Sequence, residues 1–304
     1  MLLNFGWKLG SFDDYREAYN LYGGSVITSP KVLDFFHKRF QLNEKFHIKR
    51  DGSGNIIGGI CSWRDRYLAG EQKIVIKEGI NKYPLNFDEI ILPIRSDVRS
   101  IIPFKSKFMS SKNKVNTINC SEKLNSKRQI CLVKDISRKT RETRNRELNR
   151  FIKSGGSVVN VDNYDSKELT DIYDYLYFKR RNEHAYKNEM QEILEEIPAI
   201  NFGNILWLEG NPCAMQFIVK KQCEKWICYD YVNSGMDLSY PNLSLGTVST
   251  WVNVKDAIEY SHENNLEMRF SFGRPTFEYK NRWCNRDNLQ RVIFSLIVMI
   301  IMEH

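Results

Sequence analysis

Histidine is scarce in this chain: five residues, at positions 37, 47, 184, 262 and 304. They are scattered, and none sits in an HExxH pair, so no zinc-type ligand set is expected. A GxSxG nucleophile elbow and a phosphate-binding P-loop are also missing, which removes the common signatures of serine hydrolases and nucleotide triphosphatases. The seven cysteines (61, 120, 131, 213, 223, 228 and 284) are odd in number, and none forms a CxxC pair. Cys131, Cys213 and Cys228 fall inside apolar strand patterns. Reduced core thiols of a cytosolic protein are therefore expected, rather than a disulfide framework. MLLNFGWKLG has neither a charged leader before an apolar run nor a small-residue cleavage site, so it does not read as a signal peptide. No apolar run reaches the roughly 18–20 residues that span a bilayer. The longest such block, Val292 to Met302, reads as a core strand or helix, with a peripheral membrane anchor as the sharper alternative.

What is abundant is positive charge and aromatic surface. The net charge is +8, with 12% Phe, Trp and Tyr. That balance favours an anionic partner such as a nucleotide cofactor, tRNA, a phospholipid headgroup or DNA, without choosing among them. An apolar content of 42% is ordinary for a globular protein and is enough for one large or two smaller cores.

The chain is organised around residues 201–283. Ile205–Leu208 and Ala214–Val219 flank Glu209-Gly210-Asn211-Pro212, which reads as a hairpin. KWICYDYVN follows as a third strand. After the break SGMDLSYPNLSLG, residues 247–265 show helical spacing of Val248, Trp251, Val252, Ala257 and Ile258. LEMRFSFG is the next strand, and PTFEYKNRW closes the unit. Upstream, residues 11–42 read as two helices, with Ser29 as a cap and Pro30 at the first helical position. EKFHIKR and IIGGICSW form a hairpin across DGSGN, with Gly52 and Gly54 supplying positive φ, and EQKIVIKE reads as a further strand. The polar stretch 105–126 reads as a linker or mobile loop. Then come the strand RQICLVKDI, a basic helix capped by Ser137, the strand SVVNVDNY and the helix SKELTDIYDYLYFKRRNE. The coarse order of helices and then hairpin strands recurs in both halves, which raises the suspicion of an internal repeat.

This order resembles the GNAT-type acyltransferases, and within them the Fem-like peptidoglycan aminoacyltransferases. The likeness is carried by RKTRETRNRELNRFIKSGGSV, ILWLEGNPCAMQFIV, SLGTVSTWVNVKDAIEY and FSFGRPTFEYKNRW. A more specific likeness runs through nearly the whole chain up to Trp283. YREAYNLYGGSVITSPKVLDFF, RQICLVK, RFIKSGGSV, FGNILWLEGNPCA and LSLGTVSTWVNVKDA are similar to the Mig family of macrophage-inducible proteins. The resemblance implies an α+β chain with a GNAT-like (acyl-CoA N-acyltransferase) fold in two tandem modules. Residues 1–126 would be a degenerate first module, and 127–304 a second module holding the donor cleft. It also implies bacterial resistance to antimicrobial peptides and a cytoplasmic protein at the inner face of the inner membrane. A transcriptional activator is the other role attached to the family.

In the GNAT fold two parallel strands splay, and the acyl donor lies in the gap, its pyrophosphate at a helix start where unpaired N–H groups and the helix dipole favour anions. The resemblance places those strands at Trp226–Tyr231 and Met268–Phe272 and the helix start at Ser244, Leu245, Gly246 and Thr247. The usual basic-x-x-Gly-x-Gly loop of acetyl-CoA enzymes is missing. The expected donor is thus acyl-CoA or, as in Fem-like enzymes, aminoacyl-tRNA, with no metal. By the same likeness Lys280 would stabilise a developing oxyanion or position an acceptor phosphate. Glu278 would be the general base if burial raised its pKa, with Asp230 as the alternative. The basic helix from Arg138 to Lys153 offers a cationic face to lipid phosphate, tRNA or DNA. It lacks the look of a helix-turn-helix reader, so sequence-specific DNA binding is not expected. A non-catalytic regulatory or binding protein on the same fold is the rival to a transferase.

Overall fold

The computed structural model describes residues 5–125 and 127–293. Most of the apolar block Val292–Met302, from position 294 onward, therefore lies outside the described residues.

The first half forms where local signals are strong. Ser11 and Asp14 cap Phe12–Tyr22 reciprocally: Ser11 Oγ accepts from Asp14 N at 3.1 Å and Asp14 Oδ2 accepts from Ser11 N at 2.9 Å. The second helix, Pro30–Arg39, starts at its proline, but Ser29 makes no side-chain cap. A 3-10 turn, Val26–Thr28, leads into it instead. Both helices belong to an antiparallel unit with strand order Lys8–Gly10, Lys45–Arg50, Ile56–Trp63, Tyr67–Leu68. Gly59 lets the first helix lie against this sheet, since a Cβ there would meet Ala18 at 2.9 Å. In the hairpin turn Gly54 takes positive φ, whereas Gly52 does not.

Two further expectations for this half are overturned. EQKIVIKE is a short helix, Gln72–Lys77, because Glu71 O receives Ile74 N and Val75 N and Gly79 in the left-handed region stops the turn. Its apolar run is consecutive and lacks the alternation of a strand. Residues 105–125 form a strap packed along the first half, with Ser110, Asn113, Asn116, Asn119 and Asn125 all buried. Its asparagines act as backbone surrogates. Asn113 accepts from Leu92 N at 2.8 Å and donates to Leu92 O at 3.0 Å. Asn119 accepts from Ile102 N at 2.8 Å, donates to Ile102 O at 2.9 Å and also reaches Ile293 O. The irregular, proline-broken segment before the strap has few strand partners, and these amides satisfy the groups it would otherwise bury unpaired.

The second half is an eight-stranded sheet. Seven strands follow one path: Cys284–Asn288, Gln129–Val133, Glu267–Ser271, Trp226–Met236, Asn211–Gln222, Asn204–Leu208 and Gly156–Asn160. The expected hairpin is present, with Leu208 opposite Asn211 and positive φ at both Glu209 and Gly210, the turn whose twist matches its strands. The helices Ser166–Arg181 and Leu245–Glu263 cover opposite faces. Phe217 and Val219 belong to the core shared with the first helix and the N-terminal half, and Ile218 to the core under the second. All seven cysteines are free, and Cys131, Cys213 and Cys228 are buried.

The halves meet through polar contacts buried by their own packing. Trp226 Nε1 donates to Tyr22 O at 2.9 Å, and Lys112 sits 4.6 Å above the Trp226 ring. Arg269, on the strand beside the central one, pairs with Glu89 from the first half and donates to Ser110 Oγ. Asp230 faces this junction. Burial first, and the Glu89 carboxylate second, push its carboxyl well above the usual carboxylate range, against the opposing pull of Arg269.

Replacing Asn119 with Leu strands several buried backbone groups and should lower unfolding free energy by ~3 kcal/mol in urea titrations. Asp230 holds its proton more tightly folded than unfolded, so its contribution to stability falls as pH rises above the unfolded carboxylate range. Asp230→Asn should therefore be more stable than the natural chain at pH 8, with the difference shrinking towards pH 4. Parallel stability curves for the two proteins would disprove this.

Candidate functional site

The central strand Trp226–Met236 and its parallel neighbour Glu267–Ser271 pair only from Trp226↔Glu267 to Asp230↔Ser271. Beyond that point the central strand continues beside Asn211–Gln222 to Met236. Its neighbour turns away at Gly273, whose φ is +65°. Phe272 N donates to Cys131 O at 2.7 Å and Cys131 N to Gly273 O at 2.8 Å, which draws the chain towards the strand Gln129–Val133. A bulge in the central strand, where Phe217 faces Asn233 and Ile218 faces Tyr231, resets which side chains look into the resulting gap.

Two cavities occupy the gap. The first, of about 460 Å³, is lined by Ser244, Leu245, Gly246 and Thr247 at the start of the helix Leu245–Glu263. Ser244 is in the left-handed region, φ 51°, and Thr247 N and Val248 N bond back to Ser244 O. Among the described residues no backbone carbonyl takes the N–H of Leu245 or Gly246. A Cβ on Gly246 would meet the end of the Met236 side chain, Cε at 3.1 Å and Sδ at 3.8 Å, so this glycine leaves the helix mouth open. The helix is held in register by a buried amide chain. Thr250 Oγ1 accepts from Gln216 Nε2 at 2.8 Å, Gln216 Oε1 from Asn253 Nδ2 at 3.0 Å, and Asn253 Oδ1 from Asn204 N at 2.9 Å. Gln216 and Thr250 also line the cavity, so the network fixes its floor. The basic helix Arg138–Lys153 contributes Thr140 and Arg144, the latter paired with Glu147 at 2.6 Å.

The second cavity, of about 470 Å³, lies between the halves and includes Asn86 and Asp88 from the first. Arg180, Tyr231 and Tyr279 line both cavities and form their common wall. Arg180 comes from the last turn of the helix Ser166–Arg181 and donates through Nη1 to Ser234 O at 2.9 Å and to Ser234 Oγ. Gly235 makes that reach short: a Cβ there would lie 2.5 Å from the backbone N of Tyr177, so only glycine lets this helix rest so close to the strand. Tyr231 OH lies 2.9 Å from Ser234 Oγ. Burial, and then the adjacent Tyr231 hydroxyl, raise the Tyr279 phenol above its ordinary range, so it stays a neutral donor.

The residues singled out from sequence are not gathered into one constellation. Ser244, Leu245, Gly246 and Thr247 lie together on the first cavity, and Lys280 is on the second. Lys280 opens a short helix, Lys280–Trp283, rather than following a strand. Its Nζ donates to Phe272 O at 2.5 Å and Arg274 O at 2.6 Å, and burial lowers its pKa. Glu278 is exposed and lines neither cavity, because residues 274–279 form a turn without strand alternation. Asp230 does face opposite to Tyr229 and Tyr231, but that face is the buried junction with Glu89 and Arg269, away from both cavities. Neither carboxylate lines either cavity. Arg180, Tyr231 and Tyr279 escaped the sequence reading. Arg180 lies in a basic last turn that complements a helix dipole and gives no hint of a cavity.

Comparison with known proteins sets this geometry in a family. The crystal structure of FemX matches at TM-score 0.56 and 7% identity, over 98% of this chain and all of that one. Weaker likenesses are to the C-terminal domain of a putative lysylphosphatidylglycerol synthetase from Agrobacterium fabrum (TM-score 0.35, 14% identity, 57% of this chain) and to L-PGS from Bacillus licheniformis (0.37, 13%, 58%). The match spans 63% of each of those two chains, under two thirds of their length. No curated protein sequence matches. The fold is α+β and GNAT-like. The family description Mig-14 matches residues 29–292, and the chain belongs to the Mig-14 family.

Proposed function

We propose that this protein is an acyl- or aminoacyl-transferase with its donor in the first cavity and its acceptor in the second. The observation that carries the reading is the common wall of Arg180, Tyr231 and Tyr279 between two openings on either side of a strand break. An anionic donor, acyl-CoA or aminoacyl-tRNA, would rest its phosphates at the helix mouth of Leu245 and Gly246, near Arg144 and Arg282. Its carbonyl would reach the wall, where an acceptor amine or hydroxyl attacks directly, with no covalent enzyme intermediate; the carbonyl's bond to the CoA sulfur or the tRNA ribose oxygen breaks, and that leaving group takes up the proton the acceptor loses. As the carbonyl oxygen gains charge, the neutral phenol of Tyr279 donates to it, and the Arg180 guanidinium supplies fixed positive charge. Lys280 anchors the turn that carries Tyr279 and presents an ammonium to the acceptor side.

The acceptor is assigned to the cell envelope. Support comes from membership of the Mig-14 family together with its sequence likeness to proteins linked to antimicrobial-peptide resistance. Among the described residues no helix is long and apolar enough to cross a membrane. We assign residues 1–126 and 127–304 to the two modules.

A binding or regulatory protein on the same fold is favoured by one observation: Glu278 is exposed and Asp230 is sealed away, so neither lies at the common wall. Two measurements separate the readings. A donor held at a hundred times its Kd should stabilise the fold by about 2.7 kcal/mol. That shift should vanish for Gly246→Asp, which places a carboxylate at the helix mouth. Tyr279→Phe should keep donor binding but lose about 10²-fold in kcat, the usual effect of deleting one oxyanion donor. Donor binding with no transfer in the natural chain would decide for the binding protein.

A further inference from the structure

The second cavity carries a charge imbalance that the transfer reading uses only in part. Its lining includes Arg180, Arg181, Arg274 and Lys280 against a single carboxylate, Asp88. That carboxylate is already engaged: Asp88 Oδ1 accepts from Arg274 Nε at 2.6 Å and from Gln72 Nε2 at 3.0 Å. No carboxylate pairs with the other three cations among the described residues. Lys280 is 7% exposed and spends two N–H donors on carbonyls, which leaves its third. Arg180 uses Nη1 on Ser234, with Nη2 and Nε left over. Arg181 makes one long hydrogen bond among the described residues, 3.3 Å to Asn233 Oδ1, and its guanidinium lies 5.5 Å from the centre of the Tyr177 ring, with no carboxylate partner. A buried ammonium without a counter-charge is costly, and protein dipoles offset that cost only in part. The site therefore holds spare donors and spare positive charge around a space of about 470 Å³.

We propose that this cavity is a phosphate subsite, in which Arg180, Arg181 and Lys280 hold the phosphate of a phosphoester ligand. Its wall provides the forked and point-charge donors that suit phosphate oxygens. The exposed aromatic and aliphatic side chains at its rim, Phe277 and Ile76, accommodate the organic part of the ester. The proposal rests on the transfer reading only in calling the ligand an acceptor. In that reading the phosphate anchors a molecule whose hydroxyl or amine is delivered to Tyr231 and Tyr279.

Titration calorimetry on the full chain tests it, with glycerol 3-phosphate, micelle-free dihexanoyl phosphatidylglycerol, inorganic phosphate and neutral glycerol as probes. The phosphoesters should bind and glycerol should not. Arg181→Gln, on an exposed side chain that leaves the fold intact, should weaken the favoured probe at least tenfold, and Arg180→Gln more. Arg146→Gln, on the basic helix outside both cavities, should have little effect. Tighter binding of glycerol 3-phosphate marks a soluble acceptor, and tighter binding of the short-chain lipid marks a headgroup; either supports the subsite. Binding by none of the probes, inorganic phosphate alone binding, or an equal loss in Arg146→Gln overturns it. Donor-dependent transfer without probe binding would sink the subsite alone. Probe binding without transfer would sink the transfer reading alone.

Discussion

The interruption of one strand pairing governs the rest of this molecule. After Asp230 and Ser271 the central strand and its parallel neighbour part company, and every feature of the candidate site lies in the space they leave. A parallel sheet that stopped pairing in mid-core would bury unpaired N–H and C=O groups. Here the departing strand finds new partners at Cys131, while Lys280 and Arg180 bind carbonyls left at the margins of the gap. Opening the cleft and satisfying its edges are thus one structural event.

Much of the architecture was legible because its causes are local. The turn Glu209-Gly210 needs only two residues at positive φ between apolar runs, and the helix after Ser244 is announced by a loop and its own periodicity. The failures come from non-local causes. The stretch 105–126 has the composition of a linker, yet its asparagines face irregular chain from 92 to 102, a pairing that no local signal announces. Glu278 looked promising two residues from Lys280, but the segment that carries it is not a strand and leaves the carboxylate exposed.

The candidate site was half visible for the same reason. The helix mouth at Ser244 to Thr247 belongs to one contiguous motif and was found by its likeness to a known fold. The common wall is assembled from positions 180, 231 and 279, which only tertiary packing brings together. Asp230 illustrates the limit of strand alternation: the parity of its orientation was right, but which side of the sheet opens to solvent depends on where the first half docks.

Gly235 carries a wider consequence. With no methyl group at that position, the backbone of the helix Ser166–Arg181 lies directly on the central strand, and the guanidinium at its end meets the strand's own carbonyl. The placement of a cation is thereby set by the absence of an atom.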